Sequence, residues 1–136
     1  MDDNKMFNLK IVTPDRIFFQ DDVEMVEIRT TEGDIGVLKG HIPLTAVAAP
    51  GIMKIHFPDE TKEAALHSGI IRVMPEDVTV LAESCEWPDE IDINRANDAK
   101  IRAERRLKGS EGEINVARAE LALRRALVRI QVAGEK

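Results

Sequence analysis

The sequence changes its hydrophobic period once, at the dipeptide Trp87-Pro88. Up to that point apolar and polar residues alternate in short runs, and all six prolines of the chain lie there. Beyond it, residues 89–136 contain no proline and are rich in Ala, Arg, Glu and Leu, a composition that favours helix. Proline also disfavours helical backbone at the residue before it. The chain is therefore predicted to contain two structural parts joined at Trp87-Pro88.

The part before the break, residues 1–88, is predicted to consist of strands. In the run FNLKIVT, the apolar residues Phe7, Leu9 and Ile11 share one face, and the run VEIRT alternates in the same way. Further short apolar runs are IMKIHF, AALHSGIIRV and DVTVLAE, and turn residues such as Pro, Gly and Asp separate them. Many short strands at close spacing predict a small antiparallel β-sandwich or barrel.

The part after the break, residues 89–136, is predicted to be a hairpin of two antiparallel helices. Gly109-Ser110 and Gly112 interrupt the helical composition, and either Ser110 or Gly112 is suited to begin the second helix. The first helix has only a narrow stripe of small apolar residues, so the hairpin should be marginal by itself. The stripe is formed by Ala96, Ala99, Ala103 and Leu107. The expected fold class is α+β, with the sandwich first and the hairpin second.

The second helix has an unusual distribution of side chains. At 100° per residue, Arg118, Arg125 and Arg129 fall within about 40° of one another, between two apolar stripes. The stripes are Ile114, Ala117, Leu121 and Val128 on one side, and Val116, Ala119, Leu123, Leu127 and Ile130 on the other. Two interpretations stay open: a solvated basic face on a core helix, or a helix that inserts between partner proteins.

Charge and composition exclude several protein classes. The net charge of −6 argues against a general nucleic-acid binder, although residues 89–136 alone carry 11 basic and 9 acidic residues. Cys85 is the single cysteine, so an intramolecular disulfide framework is excluded. No apolar run approaches the roughly 20 residues of a membrane helix, and the acidic start MDDNK does not resemble a signal peptide. The chain is expected to be soluble and cytosolic.

No residue pattern typical of an enzyme is present. The run GVLKGHIPLT contains glycines and a lysine, but Lys39 precedes its glycine and Pro43 opposes a following helix, so it is not a phosphate loop. The three histidines, His41, His56 and His67, lack metal-ligand spacing. We expect no catalytic residues and no metal site. Gly36 and Gly40 instead permit a tight turn, in which we expect His41 to be a hydrogen-bonded structural residue rather than a direct contact with a partner protein.

Three ordered segments resemble the epsilon subunit of bacterial F-type ATP synthases over nearly the whole chain. They are KIVTPDRIFFQDDVEMVEIRTTEGDIGVLKGHIPL, HSGIIRVMPEDVTVLAE, and AERRLKG followed by ARAELALRRALVRIQVA. The run GVLKGHIPLT matches a G-x-L-x-G-H-x-P-L turn of that family. One departure is Ile70, where the family commonly has the second glycine of S-G-G.

The resemblance implies a non-catalytic rotor-stalk subunit that couples ion flow to ATP synthesis. In that family the sandwich binds the gamma subunit and the ring of c-subunits, at the cytoplasmic face of the cell membrane. The hairpin either folds compactly or extends toward the catalytic beta subunit, where its basic second helix restrains ATP hydrolysis. The inhibitory contacts implied here are Arg118, Arg124, Arg125 and Arg129.

Some members of the family bind ATP in the compact hairpin through an I/L-D-x-x-R-A motif, and IDINRA at residues 91–96 satisfies it. Guanidinium groups suit phosphates, and a carboxylate can accept hydrogen bonds from adenine or ribose. Asp92 is equally well suited to cap the first helix, so both roles stay open. The residues that the resemblance implies for regulatory ATP are Glu86, Ile91, Asp92, Arg95, Ala96, Arg102, Arg125 and Arg129.

Two other classes remain as alternatives. A nucleic-acid-binding β-domain with a basic helical tail would need exposed aromatic residues for base stacking. The chain has 4% aromatic residues and no tyrosine, and its β-part is acidic. The other alternative is a general adaptor whose hairpin docks into a groove of a partner protein. Co-purification with a membrane ATPase would separate both from the rotor-stalk hypothesis.

Overall fold

A computed structural model describes residues 5–109 and 113–134 of the chain. The chain divides into two compact units, residues 1–85 and residues 86–136. The first unit is built from strands and the second from helices. No helix in the described ranges is both long and apolar enough to cross a membrane. The proposed starting points of the second helix, Ser110 and Gly112, lie outside the described residues.

Within the described part of the chain, ten strands precede the helices. They are β1 (Phe7–Thr13), β2 (Arg16–Val23), β3 (Met25–Thr30), β4 (Gly33–Leu38), β5 (Leu44–Ala48), β6 (Gly51–His56), β7 (Thr61–Leu66), β8 (Gly69–Val73), β9 (Asp77–Ala82) and β10 (Cys85–Glu86). Hydrogen bonding orders them as β10-β7-β6-β3-β5-β8-β9-β1-β2, with β4 also paired to β3. This arrangement confirms the predicted β-sandwich.

Strand β1 has one neighbour that the sequence does not suggest. It pairs antiparallel with β2 and parallel with β9, where Leu9 lies opposite Val78. Strands joined by a short turn must run antiparallel, but β1 and β9 are far apart along the chain and have no such restriction. The sandwich is therefore mostly antiparallel, with one parallel pair beside β1.

The alternation of apolar residues correctly predicts which faces of β1 and β3 are buried. In β1 the side chains of Phe7, Leu9 and Ile11 are at most 3% exposed. In β3, Val26 and Ile28 are buried in the same way. Each buried aliphatic or aromatic side chain removes apolar surface from water and contributes about 1.5–3 kcal/mol to stability. These residues form the core of the first unit.

The run GVLKGHIPLT contains the predicted turn, between the end of β4 and the start of β5. Gly40 has φ +83°, in the left-handed region, and its amide donates to the carbonyl of Pro75. A Cβ at Gly36 would lie 2.6 Å from the Cε atom of Met25, which is the end of a flexible side chain and can move away, so space alone does not require glycine there. His41 is partly exposed, with Nδ1 2.7 Å from the carbonyl oxygen of Ile42.

The segment Ser68-Gly-Ile70 shows why one glycine is retained and another is replaced. Gly69 has φ +154°, and a Cβ there would collide with the backbone of Leu81. Ile70 lies on β8 with a side chain 49% exposed, so the strand accepts a large residue. Its cross-strand partners are Val47 and Leu81, which are also about half exposed. The departure from S-G-G thus adds to an exposed apolar row.

The second unit contains a 3-10 turn (Pro88–Glu90) and the helices α1 (Ile93–Lys108) and α2 (Glu113–Gly134), which pack against each other. Asp92 caps α1 by accepting hydrogen bonds from the amides of Asn94 and Arg95, at 3.0 and 3.2 Å. Ala96 and Ala103 are buried, as the predicted small-residue stripe requires. This arrangement confirms the helical hairpin.

The two apolar stripes predicted on α2 differ in burial. Ala119 of the second stripe is 1% exposed, and Ala126, which belonged to neither stripe, is fully buried. Leu121 and Leu127 are 37% and 44% exposed. Small residues thus make the close contacts, while α2 keeps leucines partly exposed to water.

We predict that residues 1–88 fold without the hairpin, because the buried side chains of β1, β3, β6, β8 and β9 all lie within them. The fragment should show a strand-type circular dichroism spectrum and a single cooperative thermal transition. Replacing Leu9 by alanine should destabilise it by about 2–5 kcal/mol, since Leu9 is fully buried. A fragment without a cooperative transition would contradict the prediction.

We also predict that Asp92→Ala loosens the first turn of α1, because it removes the acceptor for two amides. The loss should be about 0.5–2 kcal/mol of helix stability, whereas Asp92→Asn should keep the cap. Hydrogen exchange at the amides of Asn94 and Arg95 measures the effect directly. Equal protection in the two variants would show that the cap contributes nothing.

Candidate functional site

The second unit contains a surface depression of about 350 Å³ between the start of α1 and the end of α2. Its size lies within the range of small-molecule sites. The residues that line it come from β10, the loop before α1, the first three turns of α1, and α2. They are Glu86, Glu90, Ile91, Asp92, Arg95, Ala96, Asp98, Ala99, Arg102 and Arg129. The depression is lined mainly by charged groups.

Across the depression, Arg129 of α2 is joined to Glu86. The Nε atom of Arg129 donates to Glu86 Oε1 at 2.7 Å. Both side chains are about 70% buried, so water screens this pair less than a surface pair. The two residues are 43 positions apart, and the bond ties the segment before α1 to the last turns of α2.

Two other carboxylates of the depression accept hydrogen bonds from backbone amides. Asp92 caps α1. The Oε1 atom of Glu90 accepts the amide of Trp87 at 2.9 Å, which closes the turn that leads into the helix. These hydrogen bonds fix the shape of the loop from Glu86 to Asp92. The loop is therefore organised before any ligand is present.

Two arginines of the depression project from the same side of α1. Arg95 and Arg102 are seven positions apart, which is about two helical turns, and both are exposed. Within residues 5–109 and 113–134, neither side chain has a protein hydrogen bond or ion pair. Guanidinium groups form two parallel hydrogen bonds with phosphate or carboxylate. The pair can therefore hold an anion such as a phosphate chain.

The depression brings together seven of the eight residues that the sequence suggested for ATP. Those that line it are Glu86, Ile91, Asp92, Arg95, Ala96, Arg102 and Arg129. Arg125 is half-buried on α2 and is not among the lining residues. These residues lie together because the start of α1 packs beside the end of α2.

The four arginines suggested for the inhibitory contact differ in burial. Arg118 and Arg124 are exposed, whereas Arg125 and Arg129 are half-buried. The side chain of Arg129 is turned toward Glu86. In this compact hairpin, the arginines of α2 are thus divided between an inner and an outer position.

Sequence reasoning missed three residues of the depression: Glu90, Asp98 and Ala99. Asp98 and Ala99 lie three and four positions after Arg95, and residues at that spacing share one face of a helix. That spacing could have revealed both. Glu90 could not be found in this way, because its position depends on the 3-10 turn.

Comparisons with known proteins place both units in one family. Residues 6–88 match the β-sandwich domain of the ATP synthase delta/epsilon chain, and residues 89–134 match its long α-helix domain. The ATP synthase epsilon chain of Caldanaerobacter subterraneus subsp. tengcongensis is 43% identical over 97% of this chain and 96% of its own. The ATP synthase epsilon chain of Bacillus pumilus is 44% identical over 96% of this chain and 99% of its own.

Solved structures share the same fold. A chain in the Euglena gracilis mitochondrial ATP synthase, in a structure of OSCP, F1 and the c-ring, matches with a TM-score of 0.83 and 24% identity, covering 98% of this chain and 84% of that one. A chain in the central stalk and c-ring structure of the Tetrahymena thermophila mitochondrial ATP synthase matches with a TM-score of 0.66 and 15% identity, covering 93% of this chain and 96% of that one. With both of its domains matched by the family models and identities above 40% to named relatives, the chain belongs to the family of ATP synthase epsilon chains.

Proposed function

We propose that this chain is a non-catalytic subunit of the central stalk of an F-type ATP synthase, and that its hairpin senses ATP. The sandwich binds the gamma subunit and the c-ring, which holds the chain peripherally at the cytoplasmic face of the membrane. The fold match to chains from F1/c-ring and central-stalk assemblies supports this location. Through that position the subunit takes part in coupling ion flow to ATP synthesis.

The observation that carries the ATP proposal is the convergence of seven suggested residues on one depression. Arg95 and Arg102 provide two exposed guanidinium groups for the phosphates. Ile91 is buried beside them, and Ala96 contributes a small side chain that leaves room for a flat ring. Asp92 can accept from a base or ribose while its other lone pairs hold the helix cap. Cap and ligand contact are compatible roles for this residue.

The same arginines connect ATP binding with inhibition. Arg129 lies in the depression of the compact hairpin. It also belongs to the basic ridge of α2, formed by Arg118, Arg125 and Arg129, with which an extended hairpin would contact acidic groups of the beta subunit. One guanidinium group cannot serve both contacts together. A ligand shifts a conformational equilibrium only by binding its states with different affinities. ATP therefore favours the compact hairpin and opposes the restraint of ATP hydrolysis.

We predict that the isolated full-length chain binds ATP saturably, and that Arg95→Ala weakens binding strongly. Arg105→Ala is the matched control, since Arg105 is an exposed arginine of α1 that does not line the depression. Asp92→Asn removes the carboxylate charge and keeps the helix cap. Calorimetry measures affinity, and the fluorescence of Trp87, the single tryptophan, reports binding beside Glu86.

Two results would contradict this prediction. The first is the absence of binding at millimolar ATP, which would leave Asp92 as a helix cap and the hairpin as a mechanical element alone. The second is equal loss of affinity in the Arg95 and Arg105 variants, which would indicate a general effect of charge. ADP, titrated in parallel, tests how much the terminal phosphate contributes.

We predict that alanine at Arg118, Arg125 and Arg129 together releases the restraint on ATP hydrolysis by the assembled enzyme. Removing one partner of a charged pair that is desolvated at an interface weakens the binding free energy by about 2–5 kcal/mol. The control replaces Arg105, Arg106 and Lys108 by alanine, which removes the same charge from α1. Hydrolysis is measured in assembled complexes.

A chain that ends at Pro88 should still enter the complex and should raise hydrolysis as much as the triple α2 variant. One outcome is that the complex with the α2 variant hydrolyses ATP as slowly as the unmodified complex, while the complex with the truncated chain hydrolyses it faster. In that case the apolar surface of α2 blocks rotation sterically, and the arginines are not required. If the α1 control releases the restraint equally, net charge rather than the ridge is responsible.

A further inference from the structure

Asp98 is the one carboxylate of the depression for which the described residues provide no partner. Glu86 is bonded to Arg129, Glu90 accepts the amide of Trp87, and Asp92 caps α1. Within the ranges 5–109 and 113–134, Asp98 has no hydrogen bond or ion pair, yet it lines the depression. Its negative charge is therefore not neutralised by a direct partner there.

Asp98 lies between the two arginines that face the depression. It follows Arg95 by three positions and precedes Arg102 by four, so all three lie on one face of α1. Neighbours at these spacings have Cβ atoms about 5–6 Å apart. A phosphate chain held by Arg95 and Arg102 must consequently pass close to the Asp98 carboxylate.

We propose that Asp98 sets the ATP affinity of this site by repelling the phosphates, and so determines the concentration range in which the hairpin responds. This inference rests on the proposed function, because it assumes that the depression binds ATP. Asp98 opposes the ligand in two ways: it repels the phosphates directly, and it attracts the guanidinium groups that should hold them. The direct repulsion grows with the number of negative charges on the ligand.

The size of the effect follows from Coulomb's law in a solvent-exposed site. Asp98 is exposed, so the effective dielectric constant is close to that of water, and one unit charge a few ångströms away changes an affinity by about threefold. Several phosphate charges at increasing distance give about three- to tenfold for ATP. The effect is smaller for ADP, and there is none for adenosine.

The test compares the full-length chain with Asp98→Asn, which keeps the size of the side chain and removes the charge. ATP, ADP and adenosine are titrated by calorimetry in buffer containing EDTA, so that no metal ion alters the ligand charge. Asp98→Asn should bind ATP about three- to tenfold more tightly. Asp98→Glu, which restores the charge, should return the affinity to that of the unmodified chain.

Glu104→Gln is the matched control. Glu104 is exposed on the same helix but does not line the depression, so its neutralisation gives the same net charge without acting on the site. The affinity of this variant should equal that of the unmodified chain. Far-ultraviolet circular dichroism of all variants should show equal helix content. Asp98→Ala provides a second neutral variant in case asparagine lowers the helix content.

Several outcomes distinguish the two proposals. If the unmodified chain binds ATP and Asp98→Asn does not bind it more tightly, the inference about Asp98 is wrong while the ATP site stands. Equal tightening for ATP and adenosine would also overturn it, because adenosine has no phosphate to repel. Equal tightening in Glu104→Gln would show a general charge effect. If neither the unmodified chain nor Asp98→Asn binds ATP, the proposed function itself fails, and the inference fails with it.

Discussion

The charge-assisted hydrogen bond from Arg129 to Glu86 gives the helical unit its shape at the proposed site. The buried contacts of the hairpin include the small residues Ala96, Ala103, Ala119 and Ala126, which bury little apolar area. The 2.7 Å hydrogen bond between these two mostly buried charged groups therefore contributes to holding the segment before α1 against the end of α2. It also places a guanidinium group opposite the arginines of α1. Loss of this bond would open the depression and free Arg129 for other acidic groups.

This arrangement has an energetic consequence for a ligand. Before an anion can use Arg129, it must displace the hydrogen-bonded carboxylate of Glu86, whereas the side chains of Arg95 and Arg102 have no hydrogen-bonded carboxylate to displace among the described residues. The first contacts of a phosphate chain should therefore be made with α1. Because the loop before α1 is held by Asp92 and Glu90, little backbone ordering is required on binding.

Local features of the fold could be predicted from the sequence, and distant ones could not. Alternation in FNLKIVT identified the buried face of β1, and the IDINRA run identified the cap at Asp92, because both depend on residues a few positions apart. The parallel pairing of β1 with β9 and the bond between Glu86 and Arg129 depend on tertiary packing. For the site, a family resemblance supplied seven lining residues. Asp98 was missed although its helical spacing was visible.

The parallel pair of β1 and β9 has a consequence for how the chain matures during synthesis. Strand β1 is translated before β9 and can form a hairpin with β2 as soon as β2 has been made. Its other edge pairs with β9 (Asp77–Ala82), in which Val78, the partner of Leu9, is translated 69 residues later. Until then, β1 has an unpaired edge of the kind that associates with other chains. Contacts within the helices are local and form much faster. The helical hairpin follows β9 in the chain and can therefore become ordered soon after β1 gains its second neighbour.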